Sequence, residues 1–312
     1  MSDRSTHSSF QFAIRAIILA GILAACFSAA LAQSEDDVIK VDSSIVVLNA
    51  TIRDAQNHPV SALQQKDFKI LEDGVQQQII SFETQEAPFA AVILFDTSGS
   101  MESRISIARA AAINFLDGLR ADDVTAIYKF DSKIDMVQDF SDSRDVSDKI
   151  FDLKADGMTA LNDAVYKAVS QLSDRSEKRK AIVIISDGAD NMSSHSAEKA
   201  LKGALAANVT IYSLDMSSME TNAAERRQNQ GVLRNFAEKT GGTFISTENG
   251  LAMREALKAI VNELQIQYTL AYEPADTKRD GKWHTLELRV ARPSLIIRTR
   301  QGYNAAKNGK AK

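Results

Sequence analysis

Residues 90–100 read Ala-Ala-Val-Ile-Leu-Phe-Asp-Thr-Ser-Gly-Ser. The first six, Ala90 to Phe95, form an unbroken apolar run of strand length, the pattern of a strand buried on both faces. Immediately downstream the period changes. Ile105, Ala108, Ala112, Phe115 and Leu119 recur at helical spacing. Val124 to Phe130 is a second strand, and Ile134 to Phe140 is positioned to pair with it. Leu161, Ala164, Val165, Ala168, Val169 and Leu172 form another helical stripe. Ala181 to Ile185 and Val209 to Leu214 are again buried strands, with a helix between them over Ala197 to Ala207. Leu233 to Thr240 reads as a helix closing at Gly241-Gly242, and Ala252 to Val261 as a last helix. Strands alternating with helices predict an α/β fold: a doubly wound, mostly parallel sheet between two layers of helices.

The flanks read as β structure. Ile45, Val47, Leu48, Ala50 and Ile52 make a largely apolar strand, and Asn57-His58-Pro59 a turn. Asp73-Gly74 lies between the apolar runs Phe68 to Leu71 and Ile79 to Phe82, a strong hairpin signal because a primed turn needs positive φ. At the other end Leu264 to Tyr272, His284 to Val290 and Leu295 to Arg300 are strand-like, with a turn at Arg279-Asp280-Gly281-Lys282. Two or three strands alone are marginal in water. The two segments are therefore expected to pair into one flanking β-sandwich-like unit. The expected organisation is a signal peptide over 1–32, an N-terminal β segment over 40–87, the α/β domain over 88–262, a C-terminal β segment over 263–303 and a basic tail over 304–312.

In open α/β sheets ligands bind at the carboxyl ends of the strands. Asp96 directly follows its strand, Asp187 follows Ala181 to Ile185 by one residue, and Thr159 lies just before a helix. Ser98 and Ser100 are two apart, so in an extended loop both hydroxyls point the same way. Taken singly, Asp96, Ser98 or Thr159 serves as a helix cap and Asp187-Gly188 as a turn. Taken together, five oxygen donors on one sheet edge suit a hard divalent cation. The polar stretch Ser217 to Gly231, on the same edge, reads as a solvated loop.

Asp-x-Ser-x-Ser over 96–100, the distant Thr159 and the distant Asp187 together resemble the metal-ion-dependent adhesion site of von Willebrand factor A (VWA) domains, over roughly residues 88 to 262. Val60 to Gly74 and Tyr268 to Tyr303 resemble, more softly, the flanks of exported bacterial VWFA-related proteins. The resemblance implies Mg²⁺ (or Mn²⁺ or Ca²⁺) held directly by Ser98 and Ser100. Thr159 would bind directly or through water, and Asp96 and Asp187 largely through bound waters. It implies a protein partner that completes the shell with an Asp or Glu side chain.

The rest of the composition narrows the class. Of 312 residues 44% are hydrophobic and 25% charged, and the net charge of −4 carries no nucleic-acid footprint. Arg4 and Arg15 precede an uncharged apolar run, Ala16 to Ala32, ending in the small-x-small pattern Ala30-Leu31-Ala32. That is a cleavable export signal, shorter than the about 20 apolar residues of a membrane span. Leu23-Ala24-Ala25-Cys26 also resembles a lipobox, and lipidation of Cys26 is the one route to a membrane. Either way the expected location is the periplasm, the cell surface or the medium. Cys26 is the only cysteine, so no intrachain disulfide forms.

No catalytic constellation accompanies the oxygen site. Of four histidines only His195 falls in the α/β unit, and neither His-Glu-x-x-His, Gly-x-Ser-x-Gly nor a Walker loop occurs. The expected function is a non-enzymatic, cation-dependent protein-binding or adhesion module. The alternatives are an envelope structural or assembly protein whose metal only stabilises the fold, and a metal-assisted hydrolase.

Overall fold

The computed structural model describes residues 45–84, 87–144, 148–219, 221–246, 249–275 and 281–305. The expected signal peptide over 1–32 with Cys26, the Arg279-Asp280 half of the last turn and the tail from 306 lie outside the described residues. Among the described residues no helix is long and apolar enough to cross a membrane.

Strand β5 (Phe89–Asp96) is the spine of the α/β unit. It pairs in parallel with β6 (Val124–Phe130) on one side and β8 (Arg179–Ser186) on the other. Outward from β8 lie β9 (Val209–Asp215) and β10 (Phe244–Ser246), both parallel, while β7 (Ile134–Ser141) closes the far edge antiparallel to β6. Helix α1 (Ile105–Asp117) and helix α5 (Gly250–Gln265) cover one face. Helices α2 (Leu161–Ser173), α3 (Ala197–Ala206) and α4 (Ala223–Thr240) cover the other.

The alternation along β5 shows why its sequence is continuously apolar. Phe89, Ala91, Ile93 and Phe95 enter the core under α1 and α5, whereas Ala90, Val92 and Leu94 enter the core under α2 to α4. Every residue of the strand is buried, as a two-sided parallel strand requires.

The termini build a separate unit of two antiparallel four-stranded sheets, ordered β13-β1-β11-β4 and β14-β12-β2-β3. The N-terminal segment gives β1 (Val46–Arg53), β2 (Phe68–Glu72), β3 (Val75–Gln77) and β4 (Ile79–Glu83). The C-terminal segment gives β11 (Tyr268–Tyr272), β12 (Trp283–Val290), β13 (Ile296–Arg298) and β14 (Gly302–Asn304). Each sheet takes two strands from either end, and their inner faces share one core of Leu48, Ile70, Tyr268, Leu270, Leu288 and their neighbours. The β2–β3 hairpin turns at Asp73 and Gly74 with φ of 49° and 82°, the double positive φ of a primed turn.

Three elements differ from the sequence expectation. The turn at Asp73-Gly74 pairs β2 with the short β3, whereas Ile79 to Phe82, expected as the second arm of that hairpin, belongs to β4 in the other sheet, against β11. The stretch read as a loop over 217–231 is mostly helix, because α4 starts at Ala223. Asn222 caps it by accepting from Ala224 N and Glu225 N at 2.8 and 3.4 Å. Ala223 to Gly231 contribute no buried apolar side chain, so periodicity gives no helical signal there. Leu264 and Gln265 are the last turn of α5, and the strand expected from Leu264 begins only at Tyr268.

Candidate functional site

All five sequence-predicted residues lie at the carboxyl edge of the central sheet, and hydrogen bonds tie their loops to one another. Asp96 ends β5 and is fully buried. Its Oδ1 accepts from Ser98 N at 2.9 Å and from Ser98 Oγ at 2.6 Å, and its Oδ2 accepts from Ser186 Oγ at 2.5 Å. Gly99 N donates to Gly157 O at 3.2 Å and Asp156 N to Thr97 O at 2.8 Å, joining the first loop to the one that carries Thr159. Thr159 is buried, and Asp187, directly after β8, is largely so.

The Asp96–Ser100 loop is tighter than an extended one. A 3₁₀ turn spans Gly99–Met101 with Ser98 at its N-cap position, yet the Ser98 side chain makes no capping bond. Its hydroxyl serves Asp96 instead, and Ser98 Oγ and Ser100 Oγ lie 3.2 Å apart. The turn, rather than strand-like alternation, brings the two hydroxyls together. Ser98 is buried while Ser100 is exposed, so the pair leads from the interior to solvent.

The electrostatics follow from that burial. Loss of solvent pushes the Asp96 carboxyl up to about 7, the donors Ser186 and Ser98 pull it down, and the charge of Asp187 adds to the rise. A buried carboxylate with a second one nearby is short of positive charge. The donors fit a hard cation. In an octahedral shell with bonds of about 2.1 Å, neighbouring ligands sit about 3 Å apart, and the two serine hydroxyls span such an edge.

Residues that the sequence reading did not single out hold this arrangement. Ser186, directly after the apolar run Ala181 to Ile185, donates to Asp96 and accepts from Gly188 N at 3.0 Å. A lone serine closing an apolar run at the ligand edge was the available signal. Gly188 has φ of 81°, and a Cβ there would lie 2.7 Å from Asn229 O. Asp215 at the end of β9 accepts from Ser217 N at 2.9 Å, Gln230 Nε2 at 2.7 Å and Ser246 Oγ at 3.0 Å. Ser217 Oγ in turn reaches Asp187 O at 3.3 Å. His195 is tied to Asp163, with Nδ1 2.6 Å from Oδ1, and its ring stacks on Tyr166 at 4.2 Å.

A second group of ligand-type residues, Glu72, Asp73 and His284, lies in the β unit. Its carboxylates and the His284 Nδ1 are engaged with one another and with neighbouring hydroxyls. His284 Nδ1 is 3.1 Å from Glu72 Oε1 and 2.9 Å from Asp73 Oδ2, and the hydroxyls of Tyr303 and Tyr272 donate to the two oxygens of Glu72. The trio ties β2 to β12 and β14.

Residues 91–189 match the von Willebrand factor type A domain family. Together with the sheet order and the helices on both faces, this makes the α/β unit a VWA-type domain. Among solved structures, a von Willebrand factor type A protein from Catenulispora acidiphila superposes with a TM-score of 0.50 at 13% identity, over 80% of this chain and 76% of that one. Proximal thread matrix protein 1 from the mussel byssus gives a TM-score of 0.50 at 14% identity, over 62% of this chain and 51% of that one. At such identities the likeness is one of fold. No curated protein matches the chain by sequence.

Proposed function

We propose that this protein is an exported, non-enzymatic, cation-dependent protein-binding module whose site engages an acidic group of a partner. One observation carries the reading: the hydroxyls of Ser98 and Ser100 stand 3.2 Å apart beside the buried Asp96 carboxylate. Asp187 and Thr159 complete an all-oxygen donor set on the same edge. Ser98, Ser100 and Thr159 would hold Mg²⁺, Mn²⁺ or Ca²⁺, with Asp96 and Asp187 balancing its charge. When bound, the cation supplies an electrophilic centre for a partner's carboxylate. The exposure of Ser100 gives such a group access from solvent. Export rests on the N-terminal sequence.

The test is calorimetric titration of the protein with Mg²⁺, Mn²⁺ and Ca²⁺, alongside Asp96→Ala and Ser100→Ala. Saturable binding that both substitutions remove supports the reading. Binding of an acidic partner that persists unchanged in excess chelator would rule out the adhesive mechanism. A metal that raises the melting temperature but leaves partner binding untouched would assign it a structural role.

A further inference from the structure

Helix α2 begins without a cap of its own. Its N-cap position is Ala160, which has no side-chain acceptor, and the first N–H groups of any helix have no partner within it. The loop after β8 supplies the acceptors. Asn162 N donates to Asp190 Oδ2 at 2.7 Å and Asp163 N to Ser193 Oγ at 3.0 Å. The exchange runs both ways, because the Asp163 carboxylate accepts from Ser194 N at 2.9 Å and His195 N at 2.8 Å. Burial works to raise the Asp163 carboxyl, but these donors outweigh it and hold it below the ordinary carboxylate range.

Between these ties stands a two-way clip on Thr159. Thr159 N donates to Asn191 Oδ1 at 2.9 Å, and Asn191 N donates back to Thr159 O at 3.0 Å, with Met192 N reaching the same carbonyl at 3.1 Å. Asp187 opens the loop to which Asn191 belongs. The backbone of one proposed ligand is therefore fastened to the loop of another, four residues beyond it, by groups outside the proposed ligand set.

We infer that Asn191 is a positioning residue, which sets Thr159 relative to Asp187 and thereby the affinity of the site for a divalent cation. The inference rests on the metal-site reading above. Groups that orient ligands typically contribute 10- to 100-fold to metal affinity. The clip has that form, since a single side-chain oxygen fixes the amide of Thr159, whose hydroxyl belongs to the proposed ligand set.

The experiment is Mn²⁺ titration of the full chain, read by calorimetry and by electron paramagnetic resonance, for wild type, Asn191→Ala and Asn191→Asp. The metal-free melting temperature of each is recorded alongside. Asn191→Ala should weaken Mn²⁺ binding by about 10-fold or more and change the Mn²⁺ spectrum. Asn191→Asp, which keeps an oxygen acceptor at the same position, should bind at least as tightly as wild type. If Asn191→Ala lowers the melting temperature but leaves affinity and spectrum unchanged, the residue is merely structural and the inference fails. It fails equally if both substitutions weaken binding alike. Should Asn191→Ala not fold, Asn191→Ser, whose side chain is one atom shorter, takes its place with the same expected loss. Absence of Mn²⁺ binding in wild type overturns the metal reading itself, and is seen before any variant is compared.

Discussion

Ser186 Oγ donates to Asp96 Oδ2 at 2.5 Å across the junction of two neighbouring parallel strands, β8 and β5. The same oxygen accepts from Gly188 N at 3.0 Å, which turns its proton toward the carboxylate. Ser98 occupies the other carboxylate oxygen through both its amide and its hydroxyl. A buried acid at the ligand edge is thus held by donors from two of the three segments that converge there. The third, carrying Thr159, is laced to the first through Gly157 and Asp156.

Ser186→Ala removes a donor from Asp96 and an acceptor from Gly188 while continuing the apolar run. The two stranded groups are buried, and each unmade bond costs about 1–3 kcal/mol. The metal-free protein should lose on the order of 2 kcal/mol in urea unfolding. The Asp96 carboxyl should rise further, because the lost donor had pulled it down. Unfolding that matches wild type would mean that water replaces the hydroxyl and that the strand junction is not closed.

The raised Asp96 carboxyl makes a signed statement about pH. Its folded value of about 7 exceeds the ordinary 3.8, so between those values the folded state holds a proton that the unfolded state has released. The stability this group contributes is full below about pH 4 and is lost as pH rises through about 7. A divalent cation works in the opposite sense, since it binds the carboxylate form. Metal affinity should therefore fall as pH drops from 8 to 6, with protons taken up as the metal leaves. Titrations in two buffers of different ionisation enthalpy at each pH measure that uptake. Affinity flat across this range would remove Asp96 from the metal equilibrium.

Several of these relations were legible in the sequence and others were not, for identifiable reasons. The alternation of fully apolar runs with helical stripes was enough to place Asp96, Thr159 and Asp187 on one edge, because strand ends follow from composition alone. The pairing of N- and C-terminal strands into one sandwich followed from the insufficiency of either piece. The first half of α4 escaped because Ala223 to Gly231 packs no apolar face, and the cap at Asn222 is a single residue in a polar run. Asn191 and Ser193 escaped because their partners lie about thirty residues away, on a helix whose own N-cap is alanine. Long-range caps leave no local pattern.

Gly188→Ala tests whether the Asp187 loop tolerates movement. Glycine there has φ of 81°, a conformation that costs an L-residue about 1–2 kcal/mol. The added Cβ would also lie 2.7 Å from Asn229 O and 2.9 Å from Leu233 Cγ, so α4 must yield or the loop must shift away from it. Because Asp187 directly precedes the glycine, the expected result is a lower melting temperature together with weaker divalent-cation binding. A variant that loses stability but binds metal as wild type does would show that α4, rather than the loop, gives way.

Arg179 joins the two units from a fully buried position at the start of β8. Its guanidinium donates to Thr84 O at 2.5 Å and Ala87 O at 3.2 Å, on either side of the connection between β4 and β5. It also donates to Leu264 O and Gln265 O at the end of α5, and to Gln267 O and Thr269 Oγ1 at the entry to β11. Burial lowers its pKa to about 10, which leaves it charged at neutral pH. The planar fork matches this spread of acceptors in a way that an ammonium group does not. Arg179→Met keeps much of the volume but strands several buried carbonyls, among them those left without partners at the helix end. At about 1–3 kcal/mol for each stranded group, the loss should exceed that of Ser186→Ala. Arg179→Lys should recover only part of it. Urea unfolding followed by Trp283 fluorescence for the β unit and by far-ultraviolet circular dichroism for the helices measures both. Separation of the two transitions in Arg179→Met, from coincidence in wild type, is the expected signature of a hub that makes the units fold together. Coincident and unshifted transitions would assign that coupling to the apolar contacts instead.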